Sequence, residues 1–274
     1  STMRIVPHPT ARKTRKRPLQ YFLRIIINYI FIYNFKVFYY FVIFLIVIGA
    51  ITQSAIGIGF GIPACFLVLF EPSMVPGCIV LMGTFLAFSN AFLSYSDILK
   101  KDLIYSFSGR IVGTLISVPL ISLTIGTNNF LVIFGLLLLI TVYLSAKKWN
   151  LKATIKNITI AGACSGFMGT LTGVGGPPMA IVYQNSKAKN VVATLNMFFG
   201  IGALFSVIVL TYMDLITFKE VMRCLLLAPA VLVGLIIGRQ TYIKNYVNMN
   251  LKNLILIVCF VSAVLVLGQA FISY

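Results

Sequence analysis

The chain has 274 residues but only one histidine, one tryptophan and five acidic residues, and charged residues make up only 10% of it. A soluble domain carries roughly 25% charge, so this chain could not cover a water-facing surface. The histidine, His8, lies in a basic tail, which excludes a histidine-based metal site or relay within the apolar part. The five acids, Glu71, Asp97, Asp102, Asp214 and Glu220, fall at the ends of apolar runs or between them. No carboxylate is therefore expected at depth to carry a proton, nor an acid–base pair for an intramembrane hydrolase. The five cysteines, Cys65, Cys78, Cys164, Cys224 and Cys259, stand singly with no C-x-x-C. They read as small packing residues rather than a metal or disulfide framework, and no cofactor or metal is expected.

What is present is apolar. The chain is 59% hydrophobic with a mean hydropathy of +1.00, in repeated runs of about 20 residues, enough to cross a hydrocarbon core of about 30 Å. The reading is an all-α polytopic membrane protein with eight crossings near 37–70, 75–96, 103–124, 129–146, 157–183, 190–212, 220–242 and 253–272. The first and fifth are interrupted. The formal charge of +17 is concentrated early, with Arg4, Arg12, Lys13, Arg15, Lys16, Arg17, Arg24 and Lys36 ahead of the first span. Beside so apolar a chain, "RKTRKRP" reads as a cytoplasmic anchor against the lipid bilayer rather than a nucleic-acid patch. Residues 21–36 carry a polar stripe of Arg24 and Asn28 following Gln20. They fit an interfacial helix, with a ninth span as the alternative. The organisation is a tail over 1–36, a four-span repeat over 37–146, a basic loop over 147–156 and a second repeat over 157–274. With the N-terminus inside, Lys100, Lys101, Lys147, Lys148, Lys152 and Lys156 also fall inside, whereas Lys187, Lys189 and Lys244 fall outside. The loops near Ser73 and Gly126 fall outside too.

The two interrupted spans resemble each other. "GIGFGIP", Gly57 to Pro63, and "GVGGPPM", Gly173 to Met179, are separated by one offset that relates Gly57 to Gly173 and Gly59 to Gly175. Since four is even, the two halves are expected to run parallel. Glycine and proline are poor helix formers, and unwound backbone at membrane depth survives only when buried in protein or lining a wet cavity. Paired breaks of this kind point to a transporter's central site, where freed N–H groups and a half-helix N-terminus favour an anion. The breaks, Gly57, Gly59, Gly61 and Pro63 with Gly173, Gly175, Gly176, Pro177 and Pro178, are accordingly expected to face each other. Neutral polar residues in the spans, Thr84, Asn90, Thr172 and Asn196, are candidate ligands, with Asn196 first. Its replacement by leucine is expected to leave the protein folded. Arg110, about two turns inside the third span, reads equally as a ligand or as snorkelling, and Arg223 as snorkelling to the inner headgroups. Gly162, in regular helix before the second break, is expected to tolerate alanine unless a neighbour packs there.

"GTLTGVGGPPMAIVY" and "VVATLNMFFGIGALFSV", with the weaker first-half counterpart "GIGFGIPACFLV", resemble the TauE/SafE sulfite exporter family, also called the four-toluene sulfonate uptake permease family, over about residues 40–272. That resemblance implies transport of sulfite, sulfonates such as sulfoacetate, or related small organic anions, often outward. A prokaryotic-type inner membrane is expected, and no enzymatic activity, for want of a general acid or base at depth. The alternatives are uptake of a related anion and a membrane scaffold whose broken helices serve only packing.

Overall fold

The computed structural model describes residues 39–147, 151–240, 257 and 260–272. The tail, the 21–36 segment, Lys148 and Lys244 lie outside the described residues. Among the described residues ten α-helices follow one another: α1 Tyr39–Ile56, α2 Ile62–Phe70, α3 Gly77–Phe92, α4 Lys100–Thr124, α5 Asn128–Ala146, α6 Ile155–Thr172, α7 Gly176–Tyr183, α8 Ala188–Tyr212, α9 Phe218–Arg239 and α10 Phe260–Ile272. Among the described residues no strand occurs. Five helices, α1, α4, α5, α8 and α9, are long and apolar enough to cross a membrane, and α3 and α10 are shorter apolar helices. The chain is a multi-pass helical membrane protein.

The helix ends follow local chemistry. Thr154 caps α6 by accepting a hydrogen bond from the Asn157 N–H at 3.3 Å, and α9 opens with a capping box between Thr217 and Glu220. α6 stops at Gly173, whose φ of 75° is left-handed and whose N–H bonds the Gly169 carbonyl at 2.9 Å. Pro177 and Pro178 fall in the first turn of α7, where a missing N–H costs nothing within the helix.

Both broken helices are hairpins. Gly49 in α1 approaches Pro63 at the start of α2, and Gly59 packs on Thr52, so α2 doubles back along α1. Ser165 of α6 donates to the Gly175 carbonyl at 2.5 Å, and Ile158 and Ala161 pack with Met179, Val182 and Tyr183, so α7 doubles back along α6. At about 1.5 Å per residue, the eight residues of α7 rise only about 12 Å, too little to finish a crossing.

This geometry corrects the expected sidedness. Lys189 pairs with Asp97 at 2.9 Å, Asn190 donates to the Asp97 carbonyl, and the Leu99 N–H donates to Thr194 Oγ1. The α3–α4 and α7–α8 connections therefore share one end of the bundle, although the sequence pattern put them on opposite sides. At the other end Arg223 donates to Ser73 Oγ at 2.8 Å and pairs with Glu71 at 3.4 Å. Arg223 is thus ion-paired beside the Ser73 loop, where snorkelling on the opposite side was expected. Arg239, closing α9, donates to the Asn90 and Leu93 carbonyls that end α3. Gly234 and Gly238 of α9 pack in the same order on Val47–Ile51 and Ile51–Ser54 of α1, so α1 runs parallel to α9, away from the Arg223 end. The α1–α2 hairpin consequently enters from the Arg223 end and the α6–α7 hairpin from the Lys189 end. A reading in which each broken helix crosses once, and the halves run parallel, does not hold.

The α4–α6 contact is the closest in the bundle. A Cβ built on Gly109 or Gly113 of α4 would fall on the Thr159 or Ala163 carbonyl, and one on Gly162 or Gly166 of α6 on the Ser106 or Arg110 carbonyl. The two helices therefore meet backbone to backbone through small-xxx-small pairs. Gly162 is a packing glycine, so the exception attached to its expected tolerance of alanine is the case that applies. Gly162→Ala and Gly113→Ala should each destabilise the detergent-solubilised protein by about 1–3 kcal/mol. Gly268→Ala in α10, where a methyl would meet nothing within 4 Å, should be neutral or stabilise by up to about 1 kcal/mol. Thermal unfolding of the three variants checks this, and equal melting would remove the α4–α6 backbone contact as a determinant of stability.

Candidate functional site

The two hairpin tips meet. A Cβ on Gly61 would lie 2.8 Å from the Gly173 carbonyl oxygen, and one on Gly176 would lie 3.1 Å from Ile58 Cβ. Glycine at these positions lets one chain break seat against the other. Gly59 adds a φ of 122°, a conformation that side chains rarely allow.

The tips enclose a cavity of about 400 Å³. Ile58, Gly59, Phe60 and Gly61 line it from the first break, and Gly173, Val174, Gly175, Gly176 and Pro177 from the second. Gln53 of α1, Thr141 and Ser145 of α5 and Phe199 of α8 complete the wall, and Lys147 and Gln184 carry it towards the Lys189 end. Side chains hold the unwound backbone. The Phe60 N–H donates to Gln53 Oε1 at 3.4 Å, and the Val174 N–H donates to Thr172 Oγ1 at 3.0 Å.

Arg110 supplies the charge. It lies ten residues into α4, about 15 Å along the axis, is 3% exposed, and lines the cavity. Its guanidinium carbon stands 5.0 Å from the centre of the Phe198 ring and 5.6 Å from that of Phe199. Nη1 donates to Ser165 Oγ at 3.4 Å, while buried Nε has no partner among the described residues. A Cβ on Gly202 of α8 would overlap Nε, so that glycine makes the room the guanidinium occupies. Thr141 Oγ1 is also buried without a partner among the described residues. A fixed cation without a carboxylate partner, neighbouring hydroxyls and apolar walls form a pocket complementary to a small anion.

Of the residues singled out from sequence, Gly59, Gly61, Arg110, Gly173, Gly175, Gly176 and Pro177 line this cavity together. The others sit behind or beside it. Thr84 bonds back to the Val80 carbonyl, and Thr172 braces its own turn between the Met168 carbonyl and the Val174 N–H. Asn90 donates to Ser54 Oγ and to the Leu86 carbonyl and accepts from Arg239. Gly57 packs against Val192 and Pro63 against Gly49, and Pro178 is buried in α7. Asn196 accepts from Gln53 Nε2 at 3.2 Å and donates to the Val192 carbonyl, so it reaches the cavity only through Gln53.

Gln53, Ser165, Thr141 and the Phe198–Phe199 pair were missed. Gln53 was visible, as a carboxamide one turn before Gly57 in an apolar run. Thr141 and Ser165 carry no distinguishing sequence signal. Because Gln53 and Asn196 share one buried bond, Gln53→Leu and Asn196→Leu should each destabilise by about 1–3 kcal/mol. The double variant should cost less than the sum by about 1 kcal/mol. Chemical unfolding of the four proteins measures the coupling, and strict additivity would refute the bracing role.

Comparison with curated proteins and with solved structures returns no match. A family profile described as Sulfite exporter TauE/SafE matches residues 41–266, from α1 into α10, and so takes in both hairpins, the cavity and Arg110. The chain therefore belongs to the TauE/SafE sulfite exporter family, a family of membrane transporters for sulfite-type anions.

Proposed function

We propose that this protein exports a small sulfur-containing or organic anion across a prokaryotic-type inner membrane, binding it beside Arg110 between the two hairpin tips. The observation that carries the reading is the buried Arg110 guanidinium, which lines the cavity and has no ion-pair partner among the described residues.

Charge supports the direction. Lys100, Lys101, Lys147, Lys152, Lys156, Lys187, Lys189 and Arg239 gather at the Lys189 end with only Asp97 and Asp102, whereas Lys219 and Arg223 at the other end are outnumbered by Glu71, Asp214 and Glu220. Applied to these described residues, the positive-inside rule puts the lysine-rich end in the cytoplasm, which a cytoplasmic tail shares only under the ninth-span alternative for residues 21–36, and the cavity reaches Lys147 at that end. An anion arriving from inside meets lysines first, whose attraction extends about 8 Å at physiological salt. It then meets Arg110, with Ser165 and Thr141 as hydroxyl partners. Gly176 opens α7 and adds an N–H that lies outside the helix's own bonds; Pro177 and Pro178 after it have none. Neutral hydroxyls donate to an anion's oxygens without holding it as firmly as a second cation would, which favours release.

The opposite entry of the hairpins and the matched breaks support two inverted repeats rather than parallel ones. In such carriers the site lies at the repeat interface and access alternates around it.

The test is ³⁵S-sulfite or ethanesulfonate efflux from proteoliposomes into medium containing the same unlabelled anion. Wild type should exceed protein-free vesicles, and Gly268→Ala should match it. Gly175→Ala, whose methyl would lie 2.6 Å from the Ser165 carbonyl oxygen, and Arg110→Gln should each lose about tenfold or more. No flux of either probe by wild type would refute transport and leave the scaffold reading. Flux unchanged in Arg110→Gln would refute this site.

A further inference from the structure

A buried cation needs an anion, and this chain has none to offer Arg110. All five carboxylates of the sequence are accounted for. Glu71 pairs with Arg223, Asp97 with Lys189, Asp102 accepts from Tyr183, Glu220 accepts from the Thr217 N–H, and Asp214 is exposed in the turn after α8. Asp102 is on the same helix as Arg110 but eight residues earlier, about 12 Å along the axis. Nor can Arg110 retreat to water. Its own carbonyl is against Gly166, its Nε fills the space over Gly202, and Phe198 and Phe199 flank it.

From this we infer that the protein is an obligatory anion exchanger: the site changes sides only when an anion neutralises Arg110, so efflux of one anion requires entry of another. This rests on the transport reading above and goes beyond it, since a simple exporter would return empty. A site that passes through a closed state carries Arg110 with it. Loaded with a monoanion, it is a neutral pair; empty, it is a bare guanidinium in an apolar wall with one weak hydroxyl contact. The second state is disfavoured at every step that excludes water. Ligand-dependent stabilisation of one transition therefore makes the loaded crossing fast and the empty one slow.

The experiment uses full-length protein in liposomes loaded with ³⁵S-ethanesulfonate, with potassium and valinomycin on both sides so that charge build-up does not limit net flux. Efflux is compared into medium containing ethanesulfonate, chloride, or only impermeant polyglutamate as anion. Efflux into ethanesulfonate should exceed efflux into polyglutamate by about tenfold or more; acceleration by chloride as well would make chloride a counter-anion. Arg110→Lys, which keeps the charge, should keep the ratio. Arg110→Gln should slow exchange and bring the ratio towards one. Equal wild-type efflux into ethanesulfonate and polyglutamate would overturn exchange while leaving transport standing. Absence of efflux under every condition would overturn both, and the wild-type ratio decides the matter even if Arg110→Gln fails to fold.

Discussion

One positive charge, fixed at depth without a carboxylate, constrains the surrounding fold. Arg110 can occupy its place only because α4 lies against α6 at backbone distance, through Gly109, Gly113, Gly162 and Gly166, and because Gly202 leaves a gap on α8. Phe198 and Phe199 cover the guanidinium with ring faces, an attraction weaker than an ion pair in a dry setting. Small residues here are not spare positions. They bring three helices close enough to immobilise a side chain that would otherwise turn towards water.

The hairpins follow a second constraint, the need to satisfy unwound backbone away from water. Each tip uses the other as part of its wall, and each is tied by a side chain from its own first helix, Gln53 to Phe60 and Thr172 to Val174. Turning back rather than crossing also resolves the charge distribution. If α6 and α7 made one crossing, Lys187 and Lys189 would face away from Lys100 and Lys152. Because α7 returns, these lysines join one end, held there by the Lys189–Asp97 pair. The second half of the chain is then as polarised as the first.

Much of this was legible in the sequence. The expected spans 103–124, 129–146 and 190–212 fall within a few residues of α4, α5 and α8, because long apolar runs bounded by polar residues leave little choice. The breaks were legible because glycine and proline announce the loss of helix. The direction taken after a break was not, since composition does not encode the angle of a turn that is set by tertiary contacts. Whether a neighbour packs on Gly162 was illegible for the same reason: its partner, the Ser106 carbonyl, is 56 positions away in sequence. Asn196 drew attention as a polar residue at depth, yet the side chain facing the cavity is Gln53, one hydrogen bond closer. Arg110 could be read two ways until its neighbours were known.

The other arginines of the bundle show what makes Arg110 different. Arg223 has Glu71 and Ser73. Arg239 closes the C-terminal end of α3 through the Asn90 and Leu93 carbonyls and Ser94 Oγ, the end of a helix dipole where a cation is stabilised. Both lie at bundle ends with water near, and both have partners that fix neighbouring elements. Arg110 is the most buried of the three, where unmet polar groups cost most, and among the described residues it pairs with no carboxylate and closes no helix end, its Nη1 meeting only the Ser165 hydroxyl. A chain that provides partners for its peripheral arginines and withholds one from the central arginine, while keeping all five carboxylates elsewhere, has its binding capacity where a passing anion can use it.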